Sequence, residues 1–145
     1  MTRIFLFIAC TFGMTAVILG AFGAHSLAEA ISPEHLHSWQ TGVQYQFYHT
    51  FAIFIAAILG RHLNKKKIRL AIWFFIAGVL LFSGSLYLLS TADLLGIPDF
   101  RSVIGPITPI GGVCFIAGWA VLFYACNGYV KRRWYRKEDA DSDEK

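Results

Sequence analysis

The chain has 145 residues, of which 56% are hydrophobic and only 15% are charged. A water-soluble domain is nearer about 45–50% apolar and about 25% charged, so the composition excludes an ordinary cytosolic enzyme, a disordered chain, a coiled coil and a secreted disulfide scaffold. An integral membrane protein remains. The net charge of +4 does not indicate a nucleic-acid partner, because the basic residues cluster beside apolar segments, as membrane anchors do.

Four apolar segments approach the length of about 20 residues that a membrane-crossing helix needs: residues 4–24, 43–60, 68–89 and 107–129. None alternates between apolar and polar residues as an outer-membrane strand does. The sequence therefore predicts an all-α fold, an integral membrane four-helix bundle within one transmembrane domain over residues 1–137. A cleavable signal peptide is an alternative for the first segment, but its apolar run exceeds the usual signal core of about 7–15 residues.

The second helix is expected to begin ahead of its apolar segment. Ser32, Pro33 and Glu34 provide an N-cap, a first-turn proline and a first-turn acid, so this helix should start near residue 33. Residues 138–145 are almost all charged, and the sequence predicts a disordered acidic tail there.

The distribution of Lys and Arg predicts the orientation. The loop over residues 25–42 contains no Lys or Arg, whereas the loop over residues 60–67 contains Arg61 and three lysines, and the segment after Tyr129 is strongly basic. The positive-inside rule then places both termini in the cytoplasm, in an inner or plasma membrane.

Polar residues inside a membrane are costly and need an explanation. In this topology they gather in the outer half of the bundle as one candidate polar cluster: His25, Gln46, His49, Ser83, Ser85 and Thr108. His49 is expected to hydrogen-bond to Ser83, Ser85 or Thr108 and so join helices. The alternative is a ligand, proton or ion site open to the outside.

Metal and disulfide chemistry are not expected. His35 and His37 lie near His25 and Glu34, but on a helix the two side chains point about 200° apart and do not face one ion. The three cysteines, at positions 10, 114 and 126, have no metal-ligand spacing and are interpreted as small buried side chains. No cofactor is predicted.

Small residues repeat along the first and last apolar segments. They are candidates for close helix packing in lipid or, alternatively, for a homodimer face: Ala16, Gly20, Ala24, Gly111, Gly112 and Gly118.

Several motifs resemble those of the YgdD-like family, also called the domain of unknown function 423 family and related to the eukaryotic transmembrane protein 256 group. They are Gly20 to His25 (Gly-Ala-Phe-Gly-Ala-His), Trp39-x5-Tyr45-x3-His49-Thr50, Gly84 to Tyr87, Gly105 to Gly112 (Gly-Pro-Ile-Thr-Pro-Ile-Gly-Gly) and Gly118-Trp119. The resemblance covers roughly residues 4–130 and implies a small four-helix inner- or plasma-membrane protein. It implies no reaction and no catalytic residue.

The sequence favours a non-catalytic membrane protein that supports membrane or envelope integrity through helix packing, lipids or a partner. Membrane lipids, a second copy of the chain or another membrane protein are the expected partners. The first alternative is a small transporter or channel with a polar vestibule open to the outer face. The second is a membrane enzyme acting on lipid or quinone, with His49 and His25 as acid–base groups.

Overall fold

The computed structural model describes residues 2–143, with side chains described through residue 127. The described chain is all-helical, as predicted, and contains no strand. The six α-helices are α1 (Thr2–Phe22), α2 (Pro33–Leu59), α3 (Lys65–Gly78), α4 (Gly84–Thr91), α5 (Arg101–Ile104) and α6 (Ile107–Asp143). A π-helical segment, Gly23–Leu27, extends α1, and another, Val79–Ser83, joins α3 to α4 without a break. A 3-10 turn, Pro98–Phe100, precedes α5.

Three stretches of the described chain are long and apolar enough to cross a membrane: Thr2–Leu27, Lys65–Thr91 and Pro98–Asn127. Although α2 has 27 residues, it is not among them, because its first half carries many polar side chains. The four-span count and the orientation of the termini therefore stay predictions. The bounds of α6 include residues 138–143 of the predicted disordered tail, Glu144 and Lys145 lie outside the described residues, and the tail also stays a prediction.

Local sequence accounts for where α2 and α3 begin. The Ser32 hydroxyl accepts a hydrogen bond from the backbone N–H of His35 at 3.3 Å, and Pro33 occupies the first turn of α2. Asn64 caps α3 in the same way, since its Oδ1 accepts from the backbone N–H groups of Lys66 and Lys67 at 3.1 and 3.2 Å. Only five residues separate α2 from α3, so the two helices run in opposite directions.

The helices pack in a defined order. The first helix, α1, packs on α2, which also packs on α3 and α4, while α6 packs on α3 and on the π-helical segment Val79–Ser83. An apolar core lies where α1, α2, α3 and α6 meet. Its most buried members include Ala9, Ile53, Ala56, Ala71, Ile72 and Phe75.

The outer faces of α1 and α6 are apolar and exposed. Ile4, Phe7 and Val17 on α1, and Val113 and Ile116 on α6, each leave about 60% or more of the side chain uncovered. A water-soluble domain does not expose apolar area on this scale. These faces are therefore suited to contact with lipid tails.

Candidate functional site

Gln46 of α2 is the centre of the polar cluster. Its side-chain amide donates to the Phe12 carbonyl and to the Thr15 hydroxyl of α1, both at 2.8 Å. Its Oε1 accepts from the Tyr87 hydroxyl of α4 at 2.9 Å. Gln46 is 4% exposed, and both of its amide N–H groups and its oxygen have partners in the protein. One side chain thereby joins three helices.

Trp39 extends this contact toward the end of the bundle where α2 begins. Its indole N–H donates to the Leu19 carbonyl of α1 at 2.9 Å, and its ring lies 4.6 Å from the Tyr87 ring, centroid to centroid. Two glycines make room for these rings. A Cβ on Gly23 would lie 2.7 Å from the Trp39 ring, and one on Gly42 would lie 2.9 Å from the Tyr87 ring.

His49 lies one helical turn beyond Gln46 and is 4% exposed. Its Nδ1 is 2.8 Å from the Tyr45 carbonyl, and its Nε2 is 3.2 Å from the Trp119 indole nitrogen of α6. A carbonyl only accepts and an indole N–H only donates. The arrangement therefore selects the neutral ring with its proton on Nδ1, which donates to Tyr45 and accepts from Trp119.

Aromatic side chains enclose the His49 ring. Phe115 of α6 stacks on it with a centroid distance of 3.5 Å and an interplanar angle of 9°. Phe75 of α3 lies 5.5 Å away and Trp119 lies 6.2 Å away, centroid to centroid. This aromatic enclosure holds α2, α3 and α6 together around one polar ring.

The predicted partners of His49 were wrong. Ser85 donates to the Phe82 carbonyl at 2.9 Å, and its hydroxyl oxygen is 2.6 Å from that of Thr108, so these two form a separate pair between α4 and α6. Ser83 is fully buried and, within the described side chains, its hydroxyl has no hydrogen-bond partner. The partner of His49 on α6 is instead the indole of Trp119, and α6 packs on α3, which itself packs on α2.

His25, the remaining predicted member of the cluster, is exposed on the π-helical segment Gly23–Leu27 and lies outside this hydrogen-bond network. Sequence reasoning missed the side chains that complete the network, namely Thr15, Trp39, Tyr87 and Trp119. A signal was present, because buried Tyr and Trp side chains usually need a partner for their O–H or N–H group.

The predicted packing residues differ in how closely they approach a neighbour. Gly111 faces the backbone of Phe82, and a Cβ on Gly118 would lie 2.6 Å from the Phe75 ring. A Cβ on Gly112 would lie 4.0 Å from its nearest neighbour, and one on Gly20 would lie 3.5 Å from Val43, which are ordinary contacts. Ala16 is fully buried. Ala24 is exposed, and Gly23 is the residue that contacts α2. Gly23 lies seven residues after Ala16, which is almost two full helical turns and returns it to the same side of α1, whereas Ala24 lies eight residues after Ala16 and points away from that side.

The predicted burial of the cysteines was also wrong. Cys10 and Cys126 are exposed and Cys114 is half-buried, because α1 and α6 are the outer helices of the bundle; all three thiols are free.

The other histidines are near the ends of helices. His35 Nε2 is 3.3 Å from Arg101 Nη2, and that guanidinium forms a 2.8 Å ion pair with Asp93. Among the described residues, no group of three or more His, Cys, Asp or Glu side chains is placed to hold a metal ion.

Comparison with known proteins places this chain in a family. A family described as "Protein of unknown function (DUF423)" matches residues 19–112. The chain belongs to the DUF423 family. It is 40% identical over 129 residues to the UPF0382 membrane protein YwdK of Bacillus subtilis, covering 88% of this chain and 99% of that one. The polar cluster described above thus belongs to a DUF423 membrane protein.

Two further relatives extend the comparison. The chain is 38% identical over 123 residues to the UPF0382 membrane protein SAB0533 of Staphylococcus aureus, covering 85% of this chain and 94% of the relative. It is 39% identical over 127 residues to the UPF0382 inner membrane protein YgdD of Escherichia coli, covering 83% and 87%. No solved structure is significantly similar to this DUF423 member.

Proposed function

We propose that this DUF423 membrane protein has a non-catalytic role and supports the integrity of the membrane or envelope through its packed helices and its contacts with lipids or a partner. One observation carries the proposal: the polar groups of Gln46 and His49 all have partners within the protein, and all but the bond from His49 to Tyr45 join α2 to another helix. A catalytic or transport site needs polar groups that remain able to meet a ligand. Here they join α1, α2, α4 and α6.

The energetic role of such contacts supports this assignment. Polar side chains between membrane helices contribute about 0.6 kcal/mol per hydrogen bond on average. A network of five interhelical bonds, to Trp39, Gln46 and His49, is therefore a means of fixing helix positions. The exposed apolar faces of α1 and α6 then remain as the surfaces through which the protein acts on its surroundings.

The proposal is tested in an Escherichia coli strain that lacks its own DUF423 member and carries this chain on a plasmid. The measurement is entry of a membrane-impermeant dye during osmotic and detergent stress. We expect the deletion to increase dye entry and the chain to reduce it again. We expect the same reduction from His49→Gln, which keeps an acceptor for Trp119.

Two results would count against the proposal. Dye entry that does not respond to the deletion would remove the integrity role. If His49→Gln is present at normal amount and melts at the normal temperature but does not restore dye exclusion, the titratable ring itself is required. That second result would favour the vestibule transporter.

A further inference from the structure

A groove opens at the end of the bundle where α1 begins, α2 ends and α3 begins. Its volume is about 360 Å³. The floor is formed by the apolar side chains of Phe5, Ala57, Ile68 and Ile72, all of which also belong to the core. This end is opposite to the one at which Trp39 and Tyr87 meet.

The rim of the groove is cationic. Arg61, Lys65 and Arg69 line it, and no carboxylate is among its lining residues. Arg61 and Lys65 are both exposed and bring their charges into one opening that has an apolar floor. We infer that this groove binds an anionic phospholipid, with the phosphate at Arg61 and Lys65 and the upper part of an acyl chain against the apolar floor.

The position of the groove favours a lipid over a soluble phosphate compound. Two of the three stretches able to cross a membrane, Thr2–Leu27 and Lys65–Thr91, begin at this groove, so its rim lies at the level where headgroups are found. Phe5 of the floor makes an edge contact with Trp73 at 5.9 Å, and Trp73 is 53% exposed. The apolar floor is thereby continuous with a surface that lipid tails cover.

Charge and apolar area together define the ligand class. Basic side chains near a membrane surface attract anionic headgroups, and their long stems lie along apolar surface while the charges reach the phosphate. A zwitterionic lipid has the same phosphate but adds a cation that three neighbouring basic groups repel. The groove should therefore prefer a lipid with net negative charge.

The chain offers a matched control for the experiment. Lys66 and Lys67 belong to the same basic run and are exposed, but they do not line the groove. A double variant Arg61→Gln/Lys65→Gln and a double variant Lys66→Gln/Lys67→Gln lose the same charge from the same region. Only the first changes the groove.

The full-length protein is purified in a neutral detergent, and native mass spectrometry measures lipid retained from added phosphatidylglycerol or phosphatidylcholine. We expect phosphatidylglycerol to be retained in preference to phosphatidylcholine. Retention should fall about tenfold in Arg61→Gln/Lys65→Gln and remain close to wild type in Lys66→Gln/Lys67→Gln. Melting temperatures without added lipid should agree among all three proteins.

Equal losses of retained phosphatidylglycerol in the two double variants would show that general surface charge, and not the groove, binds the lipid. That result would overturn the inference. Displacement of the lipid by glycerol phosphate, which has the headgroup charge without tails, would show a soluble-phosphate site instead. The proposed function includes contacts with lipids but names neither the lipid class nor the place of contact. This inference supplies both, and it rests on the proposed function for the role of that contact. If the wild-type protein restores dye exclusion in the strain described above but retains phosphatidylglycerol and phosphatidylcholine equally, this inference alone is refuted.

Discussion

Trp119 of α6 donates its indole N–H to Nε2 of His49 of α2 across 3.2 Å. The same histidine uses its other nitrogen on the Tyr45 carbonyl of its own helix, 2.8 Å away. One nitrogen thus holds the ring to its helix, and the other connects two helices. The two bonds can be removed separately, because a Gln side chain reaches the position of Nε2 and an Asn side chain reaches the position of Nδ1.

The first prediction concerns substitutions of His49. In His49→Gln the side-chain amide reaches the position of Nε2 and keeps an acceptor for Trp119. In His49→Asn the amide reaches only the position of Nδ1, and the bond between helices is lost. Only the Gln variant has the bond between helices, so replacing Trp119 should destabilise the Gln variant more than the Asn variant by about 0.6 kcal/mol, the average value of such a bond. Thermal unfolding in detergent measures the difference.

Trp119→Phe is the control for that comparison, since it removes the donor and keeps an aromatic ring. In the Trp119→Phe background the stability of the Gln variant relative to the Asn variant should fall by about 0.6 kcal/mol. An unchanged difference between the two variants would mean that the effect of Gln does not pass through the indole.

The second prediction uses the adjacent glycines Gly111 and Gly112. A methyl group at Gly111 meets the backbone of Phe82, which has no freedom to rotate away, whereas one at Gly112 has its nearest neighbour at 4.0 Å. Overpacking costs typically about 1–3 kcal/mol. We expect Gly111→Ala to lower the melting temperature clearly and Gly112→Ala to leave it unchanged or raise it slightly. Equal effects of the two would contradict the packing of α6 on Phe82.

The third prediction addresses the contacts of Gln46. Gln46→Leu removes an acceptor from Tyr87 and a donor from the Phe12 carbonyl, so we expect a loss of about 1–3 kcal/mol of unfolding free energy. Tyr87→Phe removes one bond and should cost less. Because both changes remove the same contact, the double variant should cost less than the sum of the single ones. Strict additivity in detergent unfolding would mean that the 2.9 Å bond contributes nothing.

The fourth prediction tests the orientation derived from the charges of the loops. In a chain whose cysteines at positions 10, 114 and 126 are replaced by alanine, single cysteines are introduced as Glu34→Cys and Lys66→Cys. An impermeant thiol reagent on intact cells should label position 34 and not position 66. The reverse labelling would invert the topology.

The sequence was sufficient to predict the helical class and the family, because long apolar segments in a membrane protein leave few alternatives to helices. It also placed the start of α2 next to Ser32 and Pro33, where the signal is local. The partners of His49 could not be found in this way. Ser83, Ser85 and Thr108 matched it in polarity and depth, but the choice of Trp119 depends on how α6 is rotated against α2 and α3.

The small-residue pattern shows a different limit. A spacing of four residues correctly identified Ala16 and Gly20 as residues on the side of α1 that packs, but it selected Ala24 rather than Gly23 for the next turn. A helical turn has 3.6 residues, so a repeat of four moves away from the packed side at its second step, and Gly23 is the residue that meets the Trp39 ring.

The contacts of α2 also imply an order of assembly. During synthesis from the N-terminus, α1 precedes α2 and offers Gln46 the Phe12 carbonyl and the Thr15 hydroxyl as soon as both helices exist. Trp119 is synthesised 70 residues after His49, so the hydrogen bond between them cannot form until the last helix has been made. In the newly made chain the contacts of Gln46 with α1 can therefore form early, whereas the contact of His49 with Trp119 forms last. A product that ends before α6 lacks both the donor to Nε2 of His49 and the Phe115 ring that stacks on it.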